Sequence, residues 1–336
     1  MKLMTIDDVS KLINTMGLSA LFQELIKVLE SDFKRWSEFH KSPRVAAHCP
    51  EGVIELMPTY DNQYYSFKYV NGHPNNTQNN KLSIVALGLL ASIDDGHPLL
   101  LSEMTLLTAL RTAATSALAA KHLAKKSSKV LAIIGTGAQA EFQTIAMDNI
   151  FGLEQVRFFD IDSTAMDKFQ ANLSSYPFSL HPCESIADTL KGADIITTST
   201  ATKQRASLIN ENMLTDGVFI NAIGGDCPGK TELDRDLIIK NKVVVEFLPQ
   251  SMIEGEIQGL DKFEVHAEFW EILTGNKPGR ESDAEIIIFD SVGFAIEDFS
   301  VLTFIYEAAK KYHLGQQINL LPTLQNAKDL FSLVKG

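Results

Sequence analysis

The residues of this chain best placed to do chemistry are an aspartate in a rigid loop, three basic side chains in apolar surroundings, and a glycine turn. Asp226 stands in Asn221-Ala222-Ile223-Gly224-Gly225-Asp226-Cys227-Pro228-Gly229-Lys230, followed by Thr231-Glu232-Leu233-Asp234. A carboxylate fixed by two glycines and a proline can serve as a general acid or base. By itself the motif reads better as an ordinary turn with Asp226 as an Asx cap. Its position decides for chemistry: the loop follows an apolar run at 218–223, which puts it at the carboxyl edge of a sheet, where open α/β folds bind ligands. Arg44, Lys68 and Arg111 each lie in a half-apolar segment. Singly, each is a surface residue with a packed stem. Together they suit a carboxylate, since Arg offers a bidentate fork and Lys a point charge. Glu55 sits among apolar neighbours in Val53-Ile54-Glu55-Leu56-Met57, and in an alternating strand it could face either way.

The glycine turn is Gly135-Thr136-Gly137-Ala138-Gln139-Ala140, directly after the unbroken apolar run 130–134. Such a run is what a parallel strand buried on both faces requires. Gly135 permits the tight turn, Gly137 lets a pyrophosphate approach the backbone, and Ala140 lets the helix at 138–151 pack close to the strand. Free N–H groups at that helix N-terminus then face the phosphates. The next strand, 155–160, ends in Asp160, about 20 residues beyond the glycines, where a carboxylate accepts the ribose hydroxyls of an adenosine. Strand, turn, helix and acid together specify a dinucleotide site. Ile161-Asp162-Ser163 carries no basic residue to neutralise a 2′-phosphate, so the expected cofactor is NAD rather than NADP.

The elements that must position these groups fall into two regions. Thr5 caps a first helix, and apolar residues at helical spacing mark a second at 19–36. Strands follow at 44–48, 52–57, 64–70 and 82–93, with a polar loop at 71–80 and a hairpin turn at 94–98. A helix is expected to begin at Ser102-Glu103 and run to about Lys126. From Val130 onward strands (130–134, 155–160, 193–198, 218–223, 242–245, 285–289) alternate with helical segments, which implies a Rossmann-type doubly wound parallel sheet. The last helices, 293–311 and 323–334, should return to the first region. The expected organisation is therefore α/β: an α+β domain (1–112, completed by 313–336) and an NAD-binding domain (113–312).

The bulk composition narrows the function. At 336 residues the chain is too long for one ordinary core, so two domains are the default. A net charge of −12 disfavours nucleic acid as a partner. No apolar run reaches the roughly 18 residues that cross a bilayer, and the first residues lack the apolar segment of a signal peptide. Three cysteines with no Cys-x-x-Cys pair suggest a reducing cytoplasm and argue against structural zinc. The eight histidines show no metal-ligand spacing, so no metal site is expected.

Leu100 to Ser116, the turn and helix start at 135–143, the loop at 223–234 and Asp290-Ser291-Val292-Gly293-Phe294-Ala295 together resemble the ornithine cyclodeaminase/mu-crystallin family, from about Pro43 to Ser300. The Gly-Asp-Cys-Pro-Gly-Lys-Thr-Glu-Leu form of the loop, with Glu55 in Gly-Val-Ile-Glu-Leu-Met-Pro, looks closer to the family's cyclodeaminases than to its amine dehydrogenases and crystallins. The resemblance implies that Asp226 is the catalytic acid/base, that Arg44, Lys68 and Arg111 hold a substrate carboxylate, that Glu55 takes the distal ammonium, and that Val292 lies beside the substrate. It assigns Ser83, Gly135, Thr136, Gly137, Ala138, Gln139, Asp160, Thr200, Lys230 and Ser291 to the NAD site. Ser83 is a departure, because the family pattern usually has Thr there; the hydroxyl is kept. The implied activity is conversion of L-ornithine to L-proline and ammonia through transient hydride transfer, in a homodimer joined through the first domain. The alternatives are a net-redox amino-acid dehydrogenase or cyclic imine reductase, a lysine cyclodeaminase, and a non-catalytic crystallin-like binding protein.

Overall fold

The computed structural model describes residues 1–201, 205–260 and 264–335. Two sheets organise it. The first has seven strands in the order Gln316–Gln317, Lys2–Met4, Pro98–Glu103, Ile84–Ser92, Tyr64–Gly72, Gly52–Tyr60, Val45–Cys49. All its pairings are antiparallel except that of Lys2–Met4 with Pro98–Glu103. The second has eight parallel strands in the order Ala267–Glu268, Lys242–Val245, Ile287–Asp290, Phe219–Ala222, Ile195–Thr198, Val130–Ile134, Gln155–Phe159, Ser179–Pro182. Its order reverses between Val130–Ile134 and Ile195–Thr198, which opens a crevice at their carboxyl ends. This is the doubly wound sheet expected from the alternation of strands and helices.

Helices join the two sheets. Thr105–Leu123 carries alanines, leucines and Arg111 on buried positions and touches strands of both sheets as well as the helix Ala140–Phe151. Ala295–Lys311 follows the strand Ile287–Asp290 and lies across Gly52–Tyr60, Tyr64–Gly72 and Ile84–Ser92, beside the helix Leu18–Lys34. Its acids, Glu297 and Asp298, fall in the first turn and Lys310 and Lys311 in the last, the arrangement a helix dipole favours. The chain thus packs on the first sheet well before residue 313. Thr5 caps the first helix in a capping box with Asp8.

Two expected elements differ. Ser102 and Glu103 end the strand Pro98–Glu103, and the helix starts only at Thr105; apolar residues on both sides of Ser102 made the strand read as the start of the helix. Of the expected helix at 323–334 only a 3₁₀ turn, Leu330–Val334, forms, with Leu330, Phe331, Leu333 and Val334 all exposed.

In the first sheet the inward face mixes polar with apolar groups, Met57, Val70, Ala86 and Leu90 among them, while the outward face is apolar. Glu55, Thr59, Ser66 and Lys68 are buried, whereas Val45, Ile54, Leu56, Val85 and Leu87 are exposed. No single helix among the described residues is long and apolar enough to cross a membrane.

Candidate active site

The second sheet delivers its functional groups from the carboxyl ends of five neighbouring strands. Val130–Ile134 ends in the glycine turn, Ile195–Thr198 leads to Thr200, and Phe219–Ala222 leads to the Asp226 loop. Ile287–Asp290 leads to Ser291 and Val292, and Lys242–Val245 leads to Glu246. Gly135 has φ +95°, and a Cβ there would meet the Ser199 carbonyl oxygen at 2.7 Å, so only glycine fits. Around Gly137 a Cβ would meet nothing within 4 Å. The helix Ala140–Phe151 starts at Gln139 with no side chain capping it, which leaves its first N–H groups for a ligand. Asp160 faces this turn: its carboxylate accepts from the Thr136 N–H at 2.6 Å and from the Thr136 hydroxyl at 3.2 Å.

Asp226 is exposed at the sheet edge, and its Oδ1 accepts from Lys230 Nζ at 3.1 Å. Lys230 also donates to the Thr200 carbonyl at 2.8 Å, and the Thr200 N–H donates to Glu232 at 2.9 Å. Burial disfavours the Lys230 ammonium, but Asp226 and Glu232 more than restore it, so its pKa is raised. Thr200, Asp226 and Lys230 are therefore one connected group.

The first sheet and its helices supply the cations. Arg44 precedes the edge strand Val45–Cys49, and its guanidinium reaches into the second sheet. It donates to Glu55 Oε2 at 3.1 Å and to the carbonyls of Val292 and Gly293 at 2.6 and 2.8 Å, and its Nε lies 3.2 Å from Glu254 Oε2. Gln250 completes a socket, accepting from the Arg44 backbone N–H and donating to Glu254, both at 2.8 Å. Lys68 Nζ donates to Asp298 Oδ1 at 2.9 Å; Arg111 Nε lies 3.2 Å from the same oxygen, and Arg111 Nη1 donates to Glu297 at 2.5 Å. These contacts bring Arg44, Glu55, Lys68 and Arg111 to one place, and the charge of Asp226 acts on both Arg44 and Glu254. Glu55 faces inward, which alternation alone had left open.

The electrostatics are those of a buried, mixed-charge cluster. Burial, with Arg111 nearby, pushes the Lys68 ammonium down to about 8. Burial pulls Arg111 the same way, but Asp298, Glu297 and Glu246 overcome it and raise its pKa. Burial lifts Glu254 to about 7 against the pull of Arg44. Glu246 is pushed well above the usual carboxylate range by burial and by Glu297, with which it shares a hydrogen bond. It accepts from the Ser291 hydroxyl at 2.6 Å and from the N–H groups of Val292 and Gly293 at 3.1 and 2.7 Å, and so sets the loop that carries Ser291 and Val292.

This convergence, two glycines and an acid for a dinucleotide beside three cations and Asp226, agrees with comparison to known proteins. Residues 7–313 match the ornithine cyclodeaminase/mu-crystallin family. The chain belongs to this family. It is 47% identical over 330 residues to the ornithine cyclodeaminase of Agrobacterium tumefaciens (strain Ach5), covering 98% of this chain and 93% of that protein. An archaeal alanine dehydrogenase dimer with bound NAD superimposes with a TM-score of 0.88 at 33% identity, covering 95% of this chain and 99% of the other. A lysine cyclodeaminase, studied for its recognition of L-lysine, L-ornithine and L-2,4-diaminobutyric acid, superimposes with a TM-score of 0.92 at 27% identity over 99% of each chain.

NAD, the cofactor of this family, fits the residues present. The open space in front of Gly137 is what a pyrophosphate needs, the uncapped helix supplies donors, and Asp160 lies alongside. Ser83 stands one residue ahead of the strand Ile84–Ser92; among the described residues no hydrogen bond joins its hydroxyl to the glycine turn. Sequence reading missed Glu246, Gln250, Glu254, Glu297 and Asp298. A signal existed for three of them: Glu246 directly follows a buried parallel strand, and Gln250 and Glu254 share one helical face at i and i+4, although only the structure shows what they face.

Proposed function

We propose that this family member is an NAD-dependent ornithine cyclodeaminase that converts L-ornithine to L-proline and ammonia, with Asp226 as its acid/base. The observation that carries this reading is the Arg44–Glu55 contact beside Asp226. A diamino acid whose carboxylate lies on Arg44, Lys68 and Arg111 and whose distal ammonium lies on Glu55 has its two ends held together, because those partners touch at 3.1 Å. That is the folded conformer in which the δ-nitrogen reaches Cα. Holding it removes much of the entropic barrier to ring closure.

NAD, when bound, supplies a hydride acceptor and returns the hydride within the turnover. Ser83, Gly135, Thr136, Gly137, Ala138, Gln139, Asp160, Thr200, Lys230 and Ser291 would hold it. The chain's own groups do the rest. Asp226 takes a proton from the α-amine as Cα is oxidised; the distal ammonium gives a proton to the Glu55 carboxylate that holds it, and the δ-amine so formed adds to the imine carbon. The α-nitrogen leaves as ammonia after protonation from the Asp226 carboxyl, and the cyclic imine, reduced at Cα, becomes proline, whose ring nitrogen recovers the proton from Glu55. A positioned acid/base contributes about 10²–10⁴-fold. The three cations keep the carboxylate in place through both hydride movements, and Val292 borders the substrate. The outward apolar face of the first sheet supports a homodimer joined there, and three cysteines that form no disulfide support a cytoplasmic setting.

Ornithine deuterated at Cα and labelled with ¹⁵N at the α-amine tests the reaction. Proline retaining deuterium, ammonia carrying the label and no accumulation of NADH are expected. NADH formed in proportion to product would replace this reading with a net dehydrogenase. Turnover of lysine in preference to ornithine would move Glu55 to a longer substrate.

A further inference from the structure

Lys168 lies on the helix Ser163–Leu173, the helix after Asp160, and nothing in the reaction calls for it. Its ammonium nevertheless donates to the Thr136 carbonyl at 2.9 Å and to the Gly137 carbonyl at 3.2 Å. It also pairs with Glu141, at 2.8 Å to one oxygen and 3.0 Å to the other, while Asn172 donates to Glu141 at 2.8 Å. One cation thus binds two successive carbonyls of the glycine turn and the acid in the first turn of the following helix.

Two consequences follow. Among the described residues the peptide bonds are trans, so the C=O of residue 136 and the N–H of Gly137 point in opposite directions, as do the C=O of Gly137 and the N–H of Ala138. Drawing both carbonyls onto Lys168 turns both N–H groups to the opposite side of the turn. The second consequence is electrostatic. Glu141 occupies the N-terminal turn of the helix Ala140–Phe151, the position where an anionic ligand would feel its repulsion. Lys168 and Asn172 hold that carboxylate aside and Lys168 neutralises it.

We propose that Lys168 is a positioning residue for the cofactor: it orients the Gly137 and Ala138 N–H groups toward the pyrophosphate and cancels the charge of Glu141. The proposal rests on the reading that the glycine turn holds NAD. The test measures NAD affinity by calorimetry, steady-state kinetics and thermal melting on the full-length protein. Lys168→Met should raise the Kd and KM for NAD about tenfold, the size of one charge-assisted hydrogen bond. Its kcat at saturating NAD and its KM for ornithine should match wild type. Glu141→Gln alone should bind NAD as wild type does, and Lys168→Met combined with Glu141→Gln should recover several-fold of the lost affinity. Lys168→Arg should bind within about threefold of wild type, since it keeps the cation. Unchanged NAD affinity in Lys168→Met overturns the proposal. So does a loss of kcat and melting temperature that Glu141→Gln does not relieve, which would make Lys168 a fold-stabilising residue. Gly137→Asp separates the underlying reading: it should abolish NAD binding, and unimpaired binding there would remove the turn itself from the cofactor site.

Discussion

Replacing Lys68 by Met should abolish efficient turnover without destabilising the protein, an unusual outcome for a fully buried lysine. Lys68 is 1% exposed, and its pKa falls from 10.5 to about 8 through burial first and the Arg111 charge second, with Asp298 opposing. At about 1.4 kcal/mol per pH unit, the folded state disfavours the ammonium by roughly 3 kcal/mol. Methionine of similar length removes that penalty. That penalty is net of the charged hydrogen bond to Asp298, which already holds the pKa up, and Arg111 Nε keeps the same Asp298 oxygen at 3.2 Å. The variant should therefore lie level with wild type or up to about 3 kcal/mol above it at pH 7. The pH dependence carries a sign. Because the folded pKa lies below the unfolded one, the unfolded chain binds more protons between about pH 8 and 10.5, and the Lys68 contribution becomes more favourable as pH rises through that window. Below about pH 8 the penalty is fully present.

The assay is a pair of urea titrations, at pH 7 and pH 10, on wild type and Lys68→Met. The wild type should gain on the variant by roughly 2–3 kcal/mol between the two. The same preparation should show a KM for ornithine raised about a hundredfold, because one of three cations on its carboxylate is gone. A variant that loses more than about 3 kcal/mol at pH 7, with no pH dependence in the difference, would refute the reasoning. The Lys68–Asp298 pair would then be a net-stabilising element of the fold.

Further outcomes follow from the same geometry. Asp226→Asn should abolish turnover and leave the Kd for NAD within about twofold, since the glycine turn is untouched; a rate above about a tenth of wild type would make Asp226 a loop residue only. Glu55→Gln should raise the KM for ornithine about tenfold through loss of the distal-amine partner, with unchanged kinetics counting against that role. Glu254 titrates at about 7 because it is buried, against the pull of Arg44. The pH profile of kcat/KM should therefore carry an inflection near 7 that Glu254→Gln removes, and its persistence in the variant would assign it to another group. NADP should bind at least about tenfold more weakly than NAD, by repulsion from Asp160. Arg157 cannot relieve this, because its guanidinium is tied to the carbonyls of Asp188 and Thr189, and Lys203 lies outside the described residues; comparable titrated affinities would remove Asp160 from cofactor selection.

What could be read directly was what local spacing determines. The apolar run at 130–134, the glycines after it and Asp160 lie on consecutive elements, and their geometry follows from one strand–turn–helix–strand unit. Asp226 could be placed because a loop after a buried parallel strand has only one edge of the sheet to occupy. The acids around the cations were illegible for the opposite reason. Glu297 and Asp298 sit in a helix first turn, where acids are favourable in any helix, and only the return of Ala295–Lys311 onto the first sheet brings them to Arg111 and Lys68. Glu254 reaches Arg44 across 210 positions of chain, a distance over which no periodicity carries information.

Glu55 shows why alternation alone could not choose a face. A period of two tells which residues share a side, and burial is normally assigned to the apolar side. In Gly52–Tyr60 the assignment is inverted: Ile54 and Leu56 are exposed while Glu55 is buried, and in Tyr64–Gly72 a lysine takes an inward position. A strand can sustain that inversion only if each side has a compensating partner. Inside, the charges of Glu55 and Lys68 are matched by Arg44 and Asp298, because unpaired they would cost far more than the sheet returns. Outside, Val45, Ile54, Leu56, Val85 and Leu87 form a contiguous apolar surface of the kind that marks a protein interface. The homodimer proposed above supplies that second partner. In this sheet the polar site and the apolar exterior are two results of the same register, since a slip by one residue would expose the charges and bury the apolar side chains.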